Sequence, residues 1–265
     1  MAAASENYIV KPVAKALQVL AYVAEEGREL ALTEICYKVR LPKTTVFRYL
    51  QTLCAAGLLA YDPVSDRYRT GVRLWALGQM AGRRSVLCEV TLPIMRRLRD
   101  RFNETVNLAE LDGSEVIYLE MVESRRSLRM QAKIGSHDPA YTTAVGKAML
   151  AFLPPERLPD HLPAALAPRT SGTVSELEAL RSQLAEARTR GFALDQGENE
   201  EGARCVGAPI FGPGGSVIAG LSVSAPEGRM GGSQEKQIAA ALVEAAAEIS
   251  SRFGLSAEGE TSKHA

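Results

Sequence analysis

The sequence predicts an α+β protein of two parts. An N-terminal winged helix-turn-helix is followed by a linker helix and a larger domain built on a mainly antiparallel sheet. Three observations predict this. Residues 12–70 run helix, helix, turn, helix, hairpin by hydrophobic period. Residues 106–224 hold short strand-like runs among helices, without a strict strand-helix-strand rhythm. The length of 265 residues exceeds one ordinary domain.

Composition narrows the class. Apolar residues make up 46% and charged residues 23%, so the chain can build a core and is not disordered throughout. With 31 basic and 31 acidic residues, it is not a uniformly basic nucleic-acid coat. No apolar run reaches the roughly 18–20 residues of a membrane helix, and the small, polar start does not read as a signal peptide. Cys36, Cys54, Cys88 and Cys205 lie far apart, which argues against a disulfide framework or a zinc knuckle. A cytoplasmic protein without a membrane partner, metal or cofactor is expected. The neutral total hides an asymmetry. Residues 1–84 carry twelve basic and seven acidic residues, a surplus of +5, so the remainder carries −5. A polyanion footprint belongs to the front.

The front elements follow in order. A helix fits Pro12 to Glu26, with Pro12 in its first turn, Gly27 as its stop, and Val13, Leu17, Leu20 and Ala24 on one face. A second fits Thr33 to Val39, with Thr33 as its cap. The turn Arg40–Lys43 leads to a third helix ending before Gly57. There Val46, Leu50 and Leu53 form the inner stripe, and Thr44, Arg48, Gln51 and Thr52 lie opposite. Runs Leu58–Tyr61 and Arg67–Thr70 bracket the turn Asp62–Asp66 and form the wing. Between residues 38 and 73 stand seven basic residues and two acids. The outer face of the third helix suits base edges in a major groove. Lys43 and the helix N-terminus suit phosphate, and Arg67 and Arg69 suit backbone or minor groove. A small helical domain docking on protein is the alternative.

The run Leu32-Thr33-Glu34-Ile35 … Leu41-Pro42-Lys43-Thr44-Thr45-Val46-Phe47-Arg48-Tyr49-Leu50-Gln51-Thr52-Leu53 … Gly57-Leu58-Leu59 … Tyr68-Arg69-Thr70-Gly71 resembles the DNA-binding half of IclR-type bacterial transcriptional regulators. Behind it, Val72–Arg84 reads as a helix interrupted at Gly82–Ser85, followed by a helix at Leu87–Phe102. In the resembled family such a linker helix takes part in dimer formation. Trp75, the only tryptophan, reads as linker packing.

In the rear domain, Val106–Leu111, Glu115–Glu120 and Leu128–Ile134 read as strands. The loop Gly135–Thr143 opens a helix at Ala144–Phe152, residues 154–168 are proline-rich and irregular, and Ser175–Arg190 is a helix capped by Ser175. Strands Phe192–Asp195, Ala203–Ile210 and Ser216–Ser224 and a closing helix around 238–253 complete it. The boundaries expected are 8–71, a linker at 72–87, 88–254, and a disordered tail at 255–265. If Phe211 faces Ser216 across the turn Gly212–Gly215, Cys205 comes opposite Ser222. Gly220, Ser222 and Ser224 then share a face with Cys205 and Gly207. So small a face leaves a hollow lined by hydroxyls and a thiol, suited to a small oxygen-rich molecule. Plain core packing fits the same residues.

Three further runs are similar to the effector domain of that family: Thr143–Ala148, Asp195–Ile210 (Asp-x-Gly-Glu-Asn-Glu-Glu-Gly-x-x-Cys-Val-Gly-Ala-Pro-Ile), and Leu221–Ser224. The resemblance implies a GAF-like fold. It also implies a ligand-responsive regulator, expected to repress, that binds double-stranded operator DNA as a homodimer or dimer of dimers. It implies a small carboxylate or related metabolite as effector, with Asp195, Cys205, Ser222 and Ser224 lining the pocket near the amides of Thr143 and Ala144. Lys43, Thr44, Thr45, Arg48, Thr52, Arg67 and Arg69 are the expected DNA-binding residues. Gly207 and Tyr141 depart from the family pattern, an expected source of a larger or reshaped pocket. Enzymatic alternatives are a Cys205–His137–Asp195 triad, a metal held by Glu198–Glu201 with His137, or a catalytic Lys147. None has spacing that enforces it, and no catalytic residue is assigned.

Overall fold

The computed structural model describes residues 9–80 and 83–254. The tail at 255–265 and Gly82 lie outside the described residues; the rest of the interruption expected at Gly82–Ser85 is corrected, since Arg83 already opens a helix that runs to Phe102. The chain divides into two compact units, Met1–Ser85 and Val86–Ala265.

In the first unit, α1 (Lys11–Glu26) ends at Gly27, whose φ of 62° is the left-handed conformation glycine adopts freely. Strand β1 (Leu30–Ala31), α2 (Leu32–Val39) and α3 (Lys43–Ala55) follow. β2 (Leu59–Asp62) and β3 (Arg67–Thr70) form the wing, in the sheet order β1-β3-β2. Val19, Val23, Leu30, Ile35, Val46, Leu50, Leu53, Leu59 and Tyr68 make the core. Two expectations are corrected. The stripe on α1 is rotated: Val19 and Val23 are buried, whereas Val13 and Leu17 are exposed. The helix is apolar around most of its circumference, so periodicity alone does not choose the packed side. Thr33 does not cap α2. The helix starts at Leu32, and the Glu34 carboxylate accepts the Ala31 N–H at 2.7 Å, so the acid three residues on closes the first turn. Helix α4 (Val72–Met80) follows the wing. On it Trp75 is two-thirds exposed rather than packed.

The second unit is built on six antiparallel strands in the order β6-β5-β4-β9-β8-β7. They are β4 (Thr105–Asp112), β5 (Glu115–Val122), β6 (His137–Pro139), β7 (Ala193–Gln196), β8 (Ala203–Phe211) and β9 (Val217–Pro226). One face packs on α5 (Arg83–Phe102) and α8 (Gly232–Gly254) through Val106, Leu108, Val206, Ala208, Leu221 and Val223. The other carries α6 (Ala144–Leu150) and α7 (Leu177–Arg190). The strand expected at Leu128–Ile134 is absent. Its alternation is real, but its carbonyls are taken by side chains instead of a ladder: Thr105 Oγ1 donates to Met130 O (2.7 Å) and Arg229 to Leu128 O (3.0 Å). The edge strand is β6, inside the segment read as a loop. Ser175 caps nothing, since α7 begins at Leu177 after an extended Glu176.

Candidate functional site

In the first unit, α3 presents Lys43, Thr44, Phe47, Arg48, Gln51 and Thr52 outward, with Thr45 half-buried. The burial of Val46, Leu50 and Leu53 on the other side orients this face. No side chain caps α3 and no acid stands in its first turn, so the N-terminal dipole is open to an anion. Thr52 Oγ1 donates to Arg48 O at 2.9 Å and keeps its lone pairs outward. The wing differs in kind. Arg67 is paired with Glu34 at 3.3 Å and Arg69 with Glu29 at 3.8 Å. These two cations are shared with their own domain.

In the second unit, the predicted effector residues meet on the α6 side of the sheet. Two cross-strand rows carry them. One runs Asp195, Cys205, Ser224, Thr105; the next runs Ala193, Gly207, Ser222, Asn107. The expected pairing of Cys205 with Ser222 is therefore corrected to Cys205 with Ser224. The turn places Phe211 opposite Val217, and a bulge at Ile210/Phe211 adds a second offset. A shift of two leaves every side chain on its face, so the set stands while its neighbours change.

The hollow expected at the glycines is also corrected. A Cβ on Gly207 would come 2.3 Å from Ala144 O, and one on Gly220 would come 2.6 Å from Val145 Cγ2. These positions are bare so that α6 can lie on the sheet. Gly207 therefore does not enlarge a pocket; it brings the start of α6 against the Cys205 strand. Thr143 Oγ1 accepts the Gly146 N–H at 3.0 Å and caps that helix. Tyr141 is buried and its hydroxyl donates to Ala167 O at 2.6 Å.

Asp195 Oδ1 accepts the Glu198 N–H at 2.7 Å and holds the turn after β7. Burial pushes its carboxyl up to about 6, against the Glu198 N–H and the Lys147 charge, which pull it down. Burial likewise pushes the Cys205 thiol well above its ordinary value, and the Asp195 charge adds to this. Cys205 lies between Ser224 and Asp195 in its cross-strand row. A buried ion pair, Lys147 with Glu198, joins α6 to the same turn, and Lys147 also donates to Gln183 at 2.9 Å. Thr142 Oγ1 donates to Asn199 Oδ1 at 2.8 Å.

The enzymatic alternatives dissolve in this geometry. His137 on β6 pairs with Asp112 at 3.2 Å. Four strand spacings separate β6 from β8, about 19 Å, so His137 cannot take a proton from Cys205. Glu198 faces Lys147 rather than its acidic neighbours. Among the described residues no three His, Cys, Asp or Glu side chains stand close enough to hold a metal. Lys147 is consumed by its ion pair. Sequence reasoning missed Asn107, which is 4% exposed and donates from Nδ2 to Ser222 Oγ (3.4 Å) and Ser224 Oγ (3.2 Å). The alternation of Thr105, Asn107 and Ala109 against Val106 and Leu108 was the available signal.

Two family models match the chain. Bacterial transcriptional regulator IclR C-terminal covers residues 80–251, and the IclR helix-turn-helix domain covers residues 12–63. The chain belongs to the IclR family. Among its IclR relatives, the HTH-type transcriptional regulator KdgR of Escherichia coli K12 is 35% identical over 246 residues, 92% of this chain and 93% of that protein. The transcriptional repressor IclR of Escherichia coli K12 is 30% identical over 248 residues, 92% of this chain and 90% of that one. An IclR homolog from Microbacterium hydrocarbonoxydans, solved in complex with 4-hydroxybenzoate, superposes with a TM-score of 0.80. It is 28% identical, over 91% of this chain and 98% of that one. The Thermotoga maritima IclR gives 0.75 at 30% identity, over 93% and 100%. These relatives are regulators, not enzymes. The chain is an IclR-type transcriptional regulator with an N-terminal DNA-binding region and a C-terminal effector-binding domain. No described helix is long and apolar enough to cross a membrane.

Proposed function

We propose that this regulator is a repressor acting as a homodimer, or a dimer of dimers, on a palindromic operator in the cytoplasm. Residues 8–71 are its reading head, 72–87 the connector and 88–254 the effector domain. In this reading Lys43, Thr44, Thr45, Arg48 and Thr52 enter the major groove from α3. Arg67 and Arg69 meet flanking phosphate by exchanging Glu34 and Glu29 for the backbone. Exposed apolar residues on α1 and α4 (Val13, Leu17, Val72, Trp75) support pairing with a second copy.

The effector in this reading is a small carboxylate held by Ser222, Ser224, Cys205 and Asp195, with the amides of Thr143 and Ala144. One observation carries it: two adjacent cross-strand rows bring every one of these side chains to a single buried polar cluster beside the start of α6. Plain core packing gives no reason to concentrate a carboxyl, a thiol and two hydroxyls there. The test is a thermal-shift screen of small carboxylic acids. A true effector at a hundred times its Kd adds about 2.7 kcal/mol, and the same acid must change operator affinity. An acid that stabilises the protein without moving operator binding sinks the proposal.

A further inference from the structure

The orientation of the Asn107 amide has a chemical consequence. Its Nδ2 is within reach of both serine hydroxyls, at 3.4 Å to Ser222 Oγ and 3.2 Å to Ser224 Oγ. Each hydroxyl has one proton and two lone pairs. By accepting from Asn107, each serine spends a lone pair and keeps its proton to give. Ser224 stands beside Cys205, and Cys205 beside Asp195, in one cross-strand row. The Ser222 hydroxyl makes no other hydrogen bond among the described residues. Its proton is the free donor of the cluster. The other end of the amide, Asn107 Oδ1, is buried and has no partner among the described residues. Leaving such an acceptor unpaired costs about 1–3 kcal/mol. The two amide atoms share one carbon. A ligand group reaching the Ser222 proton therefore stands beside an acceptor that lacks a donor.

We infer that Asn107 is the specificity-determining residue of the effector site and that the effector is a 2-hydroxy carboxylic acid. The Ser222 hydroxyl donates a hydrogen bond to the carboxylate, and Asn107 Oδ1 accepts one from the neighbouring hydroxyl. Asn107 thereby acts twice, by fixing the polarity of the serines and by touching the ligand. This rests on the proposed effector site. It adds a contact residue and a rule of selection: an acid of the same shape without the hydroxyl leaves Oδ1 unsatisfied and binds more weakly.

The experiment is calorimetric titration of the full chain with two matched pairs, lactate against propionate and mandelate against phenylacetate. The hydroxylated member of the pair that fits should bind about tenfold more tightly. Asn107→Leu and Asn107→Ser should both reduce that preference to less than about twofold, with thermal unfolding showing each variant folded. The Ser222→Ala, Ser224→Ala double variant should lose both members. If Asn107→Leu or the milder Asn107→Ser is folded and keeps the full preference while the serine variant loses binding, the role of Asn107 is overturned and the site stands. If the serine variant binds as the wild type does, the site itself falls. If the wild type binds neither hydroxylated probe, the ligand class is overturned.

Discussion

At Gly207 the fold leaves no room for one methyl group, because the space is already taken by the carbonyl of Ala144. Gly207→Ala should destabilise the effector domain by about 1–3 kcal/mol through overpacking, read as a lower urea midpoint with an unchanged slope; an unaltered midpoint would mean that α6 does not lie on β8. Arg48 belongs to the opposite end of the scale of burial. It is exposed, and no carboxylate among the described residues claims it as Glu34 claims Arg67. Arg48→Ala should weaken operator binding by about 1–3 kcal/mol, whereas Arg67→Ala should also loosen the wing. Equal operator affinity for Arg48→Ala and wild type at fixed salt would remove Arg48 from the interface. Asp195 carries a pH signature. Its carboxyl is pushed up to about 6 in the folded chain and titrates near 4 when unfolded. Between those values the folded state holds a proton that the unfolded state has released. Stability from this group is present below about pH 4 and is lost as the pH rises through 6. Asp195→Asn should flatten that decline, measured as urea midpoints across the same range.

Elements differ in how far the sequence could describe them. The last hairpin was legible in its faces, because a period of two is insensitive to an even shift; its register was not, because a turn offset and a bulge are set by geometry at Ile210 and Phe211. The side of α1 that packs was illegible, since Val13, Leu17, Val19 and Val23 are equally apolar and only the neighbouring helices distinguish them. Residues 128–134 alternate as a strand would, yet Thr105 and Arg229 take the carbonyls that a ladder needs. Asn107 was visible in the alternation of β4, but its meaning depends on the pairing of β4 with β9, a contact between residues 115 positions apart. The ion pair of Lys147 and Glu198 is likewise nonlocal, and it fastens α6 to the turn after β7. Lys147→Met should cost about 3–5 kcal/mol by leaving Glu198 buried without a cation, and the double variant Lys147→Met, Glu198→Leu should recover most of it. Equal losses in the single and double variants would show that the pair contributes through packing alone.

For the whole molecule, the consequence of two functional units in one chain is a coupling free energy. Effector binding should change operator affinity by about 5–150-fold, the usual range of such coupling. Ser222→Ala with Ser224→Ala should abolish that change while unliganded operator binding stays as in the wild type. An effector response that survives the double variant places the ligand elsewhere. Operator affinity should also fall steeply with salt if, as proposed, Lys43, Arg48 and the α3 terminus act on phosphate and groove together.

The bulged hairpin between β8 and β9 exposes an unexpected vulnerability. Its two single-residue offsets cancel in parity, so Cys205 and the two serines look the same way because the offsets occur together; either one alone would set them on opposite faces. Loss of any one residue between Gly212 and Ser216 would leave an odd count. Strand β8 would then have to turn Val206, Ala208 and Ile210 out of the oily layer beneath α8, or surrender its pairing altogether. The proposed binding cluster can thus be dismantled by an edit about twenty ångströms along the strand, without altering any group proposed to touch a ligand.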